Sequence, residues 1–158
     1  MSEHFLASLP HLAAKVQKTD ATGLIYSILI NPDQVRPAAM LCQEKGLHLE
    51  DVTVSELKEG SLVLYHYDHF DCPGRVSVMA VSTNNSFDSI ADIHPGADWH
   101  ERECFDFYGT QFVGHKNLLP LLLPPDVETP PLKKDDASKV ALATLFPWAA
   151  PQAEQKEA

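Results

Sequence analysis

Residues 47–82 read LHLEDVTVSELKEGSLVLYHYDHFDCPGRVSVMAVS. Within this stretch 47–55, 61–68 and 75–82 alternate or are dense in β-branched and aromatic residues, the composition of half-buried strands. Lys58-Glu59-Gly60 separates the first two runs and His69 to Gly74 the last two, which predicts hairpin-type connections. Upstream, the apolar, β-branched run 22–30 (TGLIYSILI) predicts a buried strand. Asn31-Pro32-Asp33 then places an N-cap and a first-turn proline ahead of a helix running to Lys45 and stopping at Gly46, with Pro37 inside it. Phe5, Leu6, Leu9, Leu12, Ala13 and Val16 recur at helical spacing and predict a helix over 2–18, kinked or restarted at Pro10. Ser86 to Ile93 reads as a short helix ended by Pro95-Gly96. Strands in succession with helices around them predict an α+β fold with the helices on one face of the sheet.

Composition narrows the function. The chain has 158 residues, enough for one domain with a sizeable core. A formal net charge of −10 argues against a nucleic-acid binder, and Lys133-Lys134 is followed at once by Asp135-Asp136. Cys42, Cys72 and Cys104 are far apart and form no CxxC pair, which argues against a zinc ribbon or an iron–sulfur site built from this chain and fits a reducing compartment. The N-terminal run lacks the pattern of a secretory signal, and no apolar stretch approaches the roughly 20 residues of a membrane span. Any membrane contact is therefore expected to be indirect.

Beyond this sheet region lies WHERECFDFYG, residues 99–109. Asp98 and Glu101 have the spacing of a capping box and Gly109 that of a left-handed C-cap, so 99–108 is expected to be a short helix. Arg102 and Asp106, four apart, are expected to pair along it, while Glu103 and Asp106 share the Trp99 side. Apolar groups nearly all round predict partly buried charges. An internal ion-pair network, or charges meeting another subunit, would satisfy them. Residues 118–136 are rich in proline and leucine; proline bars regular elements, so the leucines must lie against the chain itself or a partner. Residues 150–158 read as a polar, flexible tail.

Several constellations invite chemistry. His66, His69 and Cys72 are three apart beside a turn and suggest a partial metal site without an evident fourth ligand. His100 and Cys104, four apart, suggest a dyad, but helix neighbours fit that geometry poorly, and a packed cysteine explains Cys104 better. Glu101, Glu103 and Asp106 supply carboxylates for a hydrolase, yet no GxGxxG, GxxxxGK[ST] or GxSxG accompanies them. His115, following Gly114, is expected to make a backbone or interface hydrogen bond.

The run ADIHPGADWHERECFDFYGTQFVGHKNLLPLLLPPDVETPPLKKDD (91–136) resembles the signature of the 30 kDa (C-type) subunit family of respiratory complex I. Pro95, Ala97, Trp99, Glu101, Arg102, Glu103, Asp106, Tyr108, Gly109, Phe112, Gly114 and His115 match its first part. Leu118, Leu121, Leu122, Leu123, Pro124 and Asp126 match its leucine run, and Pro131, Leu132, Lys133, Lys134 and Asp135 its last part. Two departures stand out: Asn117, Leu119 and Pro120 occupy positions usually basic, and Lys133 replaces an arginine, losing fork geometry at an ion pair. The resemblance implies a two-layer α/β sandwich with a mixed sheet of about four strands, helices on one face and an extended proline-rich C-terminal segment.

The resemblance implies a division into a family-type α/β domain (1–116), an extended partner-contacting segment (117–149) and the tail (150–158). It also implies a non-catalytic structural subunit of the peripheral arm, with no catalytic, cofactor or metal residue of its own. The expected partners are the D-type large subunit of such complexes, akin to the [NiFe] hydrogenase large subunit, and neighbouring subunits that carry iron–sulfur clusters. The expected location is the cytoplasmic side of the inner membrane, held there only through the complex. Membrane-bound energy-converting [NiFe] hydrogenases and formate hydrogenlyases carry a homologous subunit and are the alternative setting. A stand-alone hydrolase or a metal-binding module are the remaining alternatives.

Overall fold

The computed structural model describes residues 4–150 apart from Pro73. A 3-10 helix at Phe5–Ser8 leads into β1 (Ala13–Val16), a one-turn α1 (Thr19–Thr22), β2 (Tyr26–Ile30) and α2 (Val35–Glu44), the last entered through a 3-10 turn at Pro32–Gln34. Three long strands follow: β3 (His48–Leu57), β4 (Gly60–Asp68) and β5 (Val76–Ser82). A parallel pair, β6 (Ser86–Asp88) and β7 (Gln111–Val113), flanks α3 (Ala97–Tyr108). The chain ends in 3-10 turns at Asp136–Ser138 and Pro147–Ala149 around α4 (Leu142–Leu145).

The five-stranded sheet runs β1-β2-β5-β4-β3, with β2 parallel to β5 and the other neighbours antiparallel. The α+β class and mixed sheet agree with expectation, with one strand more than the four expected. The extra strand is β1, which corrects the helix expected over 2–18 (residues 1–3 lie outside the described residues). Ala13 to Val16 pair with Leu29 to Tyr26, and the Leu12 amide donates to the Leu29 carbonyl at 2.8 Å. A ladder along an otherwise open sheet edge outweighs a local periodicity that Pro10 already weakens. The Ser86–Ile93 helix is corrected in the same way. Phe87 stands opposite Phe112 in the β6–β7 ladder, and both are buried, so pairing takes the segment that local pattern gave to a helix.

Both faces of the sheet are covered. On one, Ile28, Ile30, Val54, Val63, Tyr65, Val78 and Ala80 pack with Val35, Ala38, Ala39 and Cys42 of α2 and with Ala97 and Cys104 of α3. The spacing of the α2 residues is that of one helical face. Pro37 falls in the first turn of α2, where a missing N–H is tolerated, and Asn31 makes no side-chain cap. On the other face Leu29, Leu57, Leu62 and Met79 are covered by Leu142, Ala149, Phe146 and Trp148. The expectation of helices on one face thus holds for the long helices, while residues 140–149 close the second face. Coverage on both sides explains why β2 is buried at every position, without polar alternation.

The β3–β4 hairpin turns at Gly60, whose φ is +142°, and a Cβ there would lie 2.3 Å from the Ser82 carbonyl oxygen. The turn residues also receive the C-terminal segment. The Lys58 amide donates to Val140 O at 3.0 Å, and the Leu142 amide donates to the Glu59 carboxylate at 3.0 Å. Arg36 of α2 binds Asp92 at 2.7 and 2.8 Å, and His94 contacts the Ala39 carbonyl at 3.0 Å, so 89–94 is a loop stapled to α2.

Candidate partner interface

α3 carries the residues singled out in the sequence, and their charges are used differently from expectation. The helix begins at Ala97, and its N-cap residue, Gly96, offers no side-chain cap. Glu101 therefore takes no part in a capping box. Its side chain is fully buried, accepting from the Ser89 hydroxyl at 2.5 Å and the Ile90 amide at 2.8 Å. Burial pushes its carboxyl up to about 7, against the opposing pull of those two donors. At the other end Gly109 is the left-handed C-cap expected, with φ +68° and its amide on Phe105 O at 2.9 Å.

Arg102 and Asp106 reach the proline-rich segment instead of each other. Arg102 donates to the Leu119 carbonyl at 3.0 Å and to the Pro120 carbonyl at 2.9 Å. Asp106, buried, accepts from the amides of Leu121, Leu122 and Leu123 at 2.8, 2.7 and 3.1 Å, all on one carboxylate oxygen. A segment broken by prolines cannot satisfy its own amides and carbonyls in a ladder, and the helix supplies the missing partners. Neither an internal ion-pair network nor contact with another protein is needed to satisfy these two charges. The proline-rich segment 118–136 thus forms a strap against α3, which continues with the Leu132 amide on Phe107 O at 3.0 Å and the Lys134 amide on the buried Glu56 carboxylate.

His115 sets the start of the strap. Its side chain is buried, Nδ1 accepts from the Asn117 amide at 3.0 Å, and Nε2 lies 3.2 Å from the Asp98 carbonyl oxygen. The amide contact fixes the proton on Nε2, which then donates to Asp98, the backbone hydrogen bond expected of it. Gly114 precedes it at φ +86°. Asp135 caps the next turn by accepting from the Ser138 amide at 2.8 Å. Pro124, Asp126, Pro131, Lys133 and the Lys134 side chain face solvent.

The strap leucines divide. Leu118 packs against the main core, whereas Leu119, Leu122 and Leu132 are exposed. Trp99 is 68% exposed and lines a groove of about 490 Å³ with Pro95, Gly96, His100, Glu103, Leu121 and Leu122. Glu103 thus shares the Trp99 side, as expected, while Asp106 turns into the strap.

The constellations considered for chemistry are dispersed. His66 Nδ1 lies 2.6 Å from Asp51, Cys72 is exposed on the following loop, and among the described residues no cluster of three His, Cys, Asp or Glu side chains is placed to hold a metal. Cys104 is buried with Sγ 3.6 Å from the Val52 carbonyl oxygen, and burial pushes its thiol up to about 12, which makes it a packed residue and a poor nucleophile. Glu101, Asp106 and Glu103 point to the 89–90 loop, the strap and the open groove respectively, so they do not act as a carboxylate pair.

A family model described as "Respiratory-chain NADH dehydrogenase, 30 Kd subunit" matches residues 28–140, well over half of the chain. The chain belongs to that family. The C subunit of the NADH-quinone oxidoreductase of Roseiflexus castenholzii is 43% identical over 75 residues, covering 46% of this chain and 43% of that protein. The second C/D subunit of the Aquifex aeolicus enzyme is 32% identical over 99 residues, covering 59% of this chain and 16% of that protein. The matches thus span less than half the length of these relatives. Among solved structures, the membrane-bound sulfane sulfur reductase, an archaeal respiratory membrane complex, contains a chain that superposes with a TM-score of 0.71 at 19% identity, over 97% of this chain and 91% of that one. The trypsin-resistant fragment of Nqo5 superposes at 0.58 and 17% identity, over 66% and 88%. These two likenesses establish the shared fold.

Within this family fold, Glu56, Glu59 and Ser89 are site-supporting residues that sequence reasoning missed. They are polar side chains at strand ends and in turns, and only the three-dimensional path of the chain reveals their partners: the Lys134 amide for Glu56, the Leu142 amide for Glu59 and the Glu101 carboxylate for Ser89. Gly109→Ala is expected to cost about 1–2 kcal/mol, since alanine resists positive φ. The added Cβ would also sit 3.1 Å from Pro130 Cγ, so chemical denaturation should show the loss together with a loosened strap.

Proposed function

We infer that the chain is a non-catalytic structural subunit of the peripheral arm of a complex I-like NADH (or other donor):quinone oxidoreductase. It seats a D-type large subunit so that electron transfer through the complex can couple to ion translocation. The family match over 28–140 carries this reading. The relatives named C/D support it, because those names place the C and D components together in one protein. The use of α3's charges to hold a strap with exposed leucines suits a scaffold better than a reaction site.

In this proposal the chain binds no redox cofactor, and neighbouring subunits carry the iron–sulfur clusters. It sits peripherally on the cytoplasmic side of the inner membrane. The proposal assigns the membrane contact to other subunits; among the described residues no helix is long and apolar enough to cross a membrane. Residues 117–149 serve both as part of the fold and as contact surface, with 150–158 as a tail.

Affinity purification of the tagged chain from native host membranes tests this. The expected result is co-purification of a quinone-site large subunit with iron–sulfur partners. A nickel-containing large subunit would move the chain to the hydrogenase setting, and a chain recovered alone would overturn the scaffold role. Arg102→Ala, which leaves the Leu119 and Pro120 carbonyls without their donor, is expected to lower complex yield severalfold while costing the isolated chain only about 1–2 kcal/mol. Normal complex yield in that variant would show that the strap's position does not matter for assembly.

A further inference from the structure

We propose that the groove between Trp99 and Leu121–Leu122 is the docking seat for one large apolar side chain of the D-type partner, borne on a segment with basic residues beside it. This rests on the scaffold reading above and adds the place and chemistry of the contact. The first observation is exposure. Trp99 and Leu122 are 68% and 63% exposed, side by side along one groove, and indole is the side chain that interfaces most often use as an anchor. A groove of about 490 Å³ has room for a large side chain and the backbone beside it.

The second observation is preorganisation. Neither wall of the groove is a free loop. Trp99 stands on α3, and Leu121 and Leu122 are fixed by their amides on Asp106, one helical turn from the Arg102 clamp on Leu119 and Pro120. A partner meeting a fixed groove loses little binding energy to ordering it.

The third observation, charge, selects the chemistry of the occupant, and the relatives named C/D favour the D-type subunit as the protein that bears it. Among the described residues, the full charge lining the groove is Glu103, which is exposed, and outside the groove the strap carries exposed Asp126 and Glu128 before it reaches Lys133 and Lys134. Arg102 is turned away onto the strap carbonyls. The chain as a whole has a net charge of −10, so a second copy of it would be repelled. Lysine or arginine flanking an apolar anchor complements Glu103 and would guide its approach.

A photo-crosslinking amino acid placed at position 99 in the assembled complex, together with Trp99→Ala, Trp99→Phe and Glu103→Lys variants, tests the seat. The expected crosslink is to a large-subunit peptide with an apolar residue within a few positions of Lys or Arg. Trp99→Ala should cut recovery of the large subunit about tenfold or more. Trp99→Phe should keep most of it, and Glu103→Lys should weaken recovery most at low salt. Thermal unfolding of the isolated Trp99→Ala chain should match the wild type, because the indole is mostly solvent-exposed. Recovery of the large subunit by the wild type and equally by Trp99→Ala would overturn the seat alone. So would a crosslink to any other protein of the complex or to a second copy. A wild-type chain that recovers no large subunit would overturn the scaffold reading, and the seat with it.

Discussion

Asp106→Ala is expected to destabilise the isolated chain by about 3–5 kcal/mol, because three hydrogen bonds to a charged acceptor, each contributing roughly 1.5–3 kcal/mol, are lost together and water restores part of them. One carboxylate oxygen holds three consecutive amides, those of Leu121, Leu122 and Leu123. Alanine leaves all three donors without a partner in a segment whose prolines prevent any alternative ladder. Asp106→Asn keeps an acceptor oxygen but loses the charge, so about half of the loss is expected. Chemical denaturation measures the first quantity. Hydrogen exchange localises it: the 121–123 amides should lose protection most, while those of β4 and β5, which open on global unfolding, should lose no more than the stability loss that denaturation measures. A variant with wild-type stability would mean that water replaces the carboxylate without penalty.

Glu101→Gln is expected to do the opposite, and to do so only at higher pH. The folded-state carboxyl titrates near 7, above the ordinary value of 4.5, because burial disfavours the charged form. Below pH 4.5 the group is protonated in both folded and unfolded chains and contributes no slope. Between 4.5 and 7 the unfolded chain has released the proton that the folded chain still holds, so stability falls as pH rises and levels off above 7. The total is about 3 kcal/mol, from roughly 1.4 kcal/mol per unit. Glutamine stays neutral throughout. Its oxygen can accept from Ile90, and its amide can donate to Ser89 Oγ, whose hydroxyl is free to turn. The variant should therefore gain about 1–3 kcal/mol at pH 8 and nothing at pH 4.5. Melting curves across that range test this, and parallel curves for variant and wild type would show that Glu101 is not the titrating group.

The sheet is legible in the sequence because its strands state themselves locally. The runs at 47–55, 61–68 and 75–82 carry their own alternation and turn residues, and each forms a strand. β1 and β6 are not legible, since each owes its state to a distant partner, Leu29 to Tyr26 for one and Gln111 to Val113 for the other. The same distinction divides α3. Its C-cap at Gly109 is a local device that the sequence announces. The capping box and the Arg102–Asp106 pair have the right spacing, but long-range partners at 89–90 and 119–123 take those side chains. Spacing along a helix tells which residues can meet, and tertiary structure decides whether they do.

The closing of the second sheet face by residues 140–149 has a consequence for biosynthesis. Every strand emerges from the ribosome before the segment that covers Leu29, Leu57, Leu62 and Met79. Until Leu142, Phe146 and Trp148 arrive, the nascent sheet presents a bare apolar face. A chain stalled or clipped within the strap keeps that face permanently open and becomes a substrate for chaperones or a seed for aggregates. The tract that closes the second sheet face therefore also decides whether a newly made molecule survives long enough to finish folding.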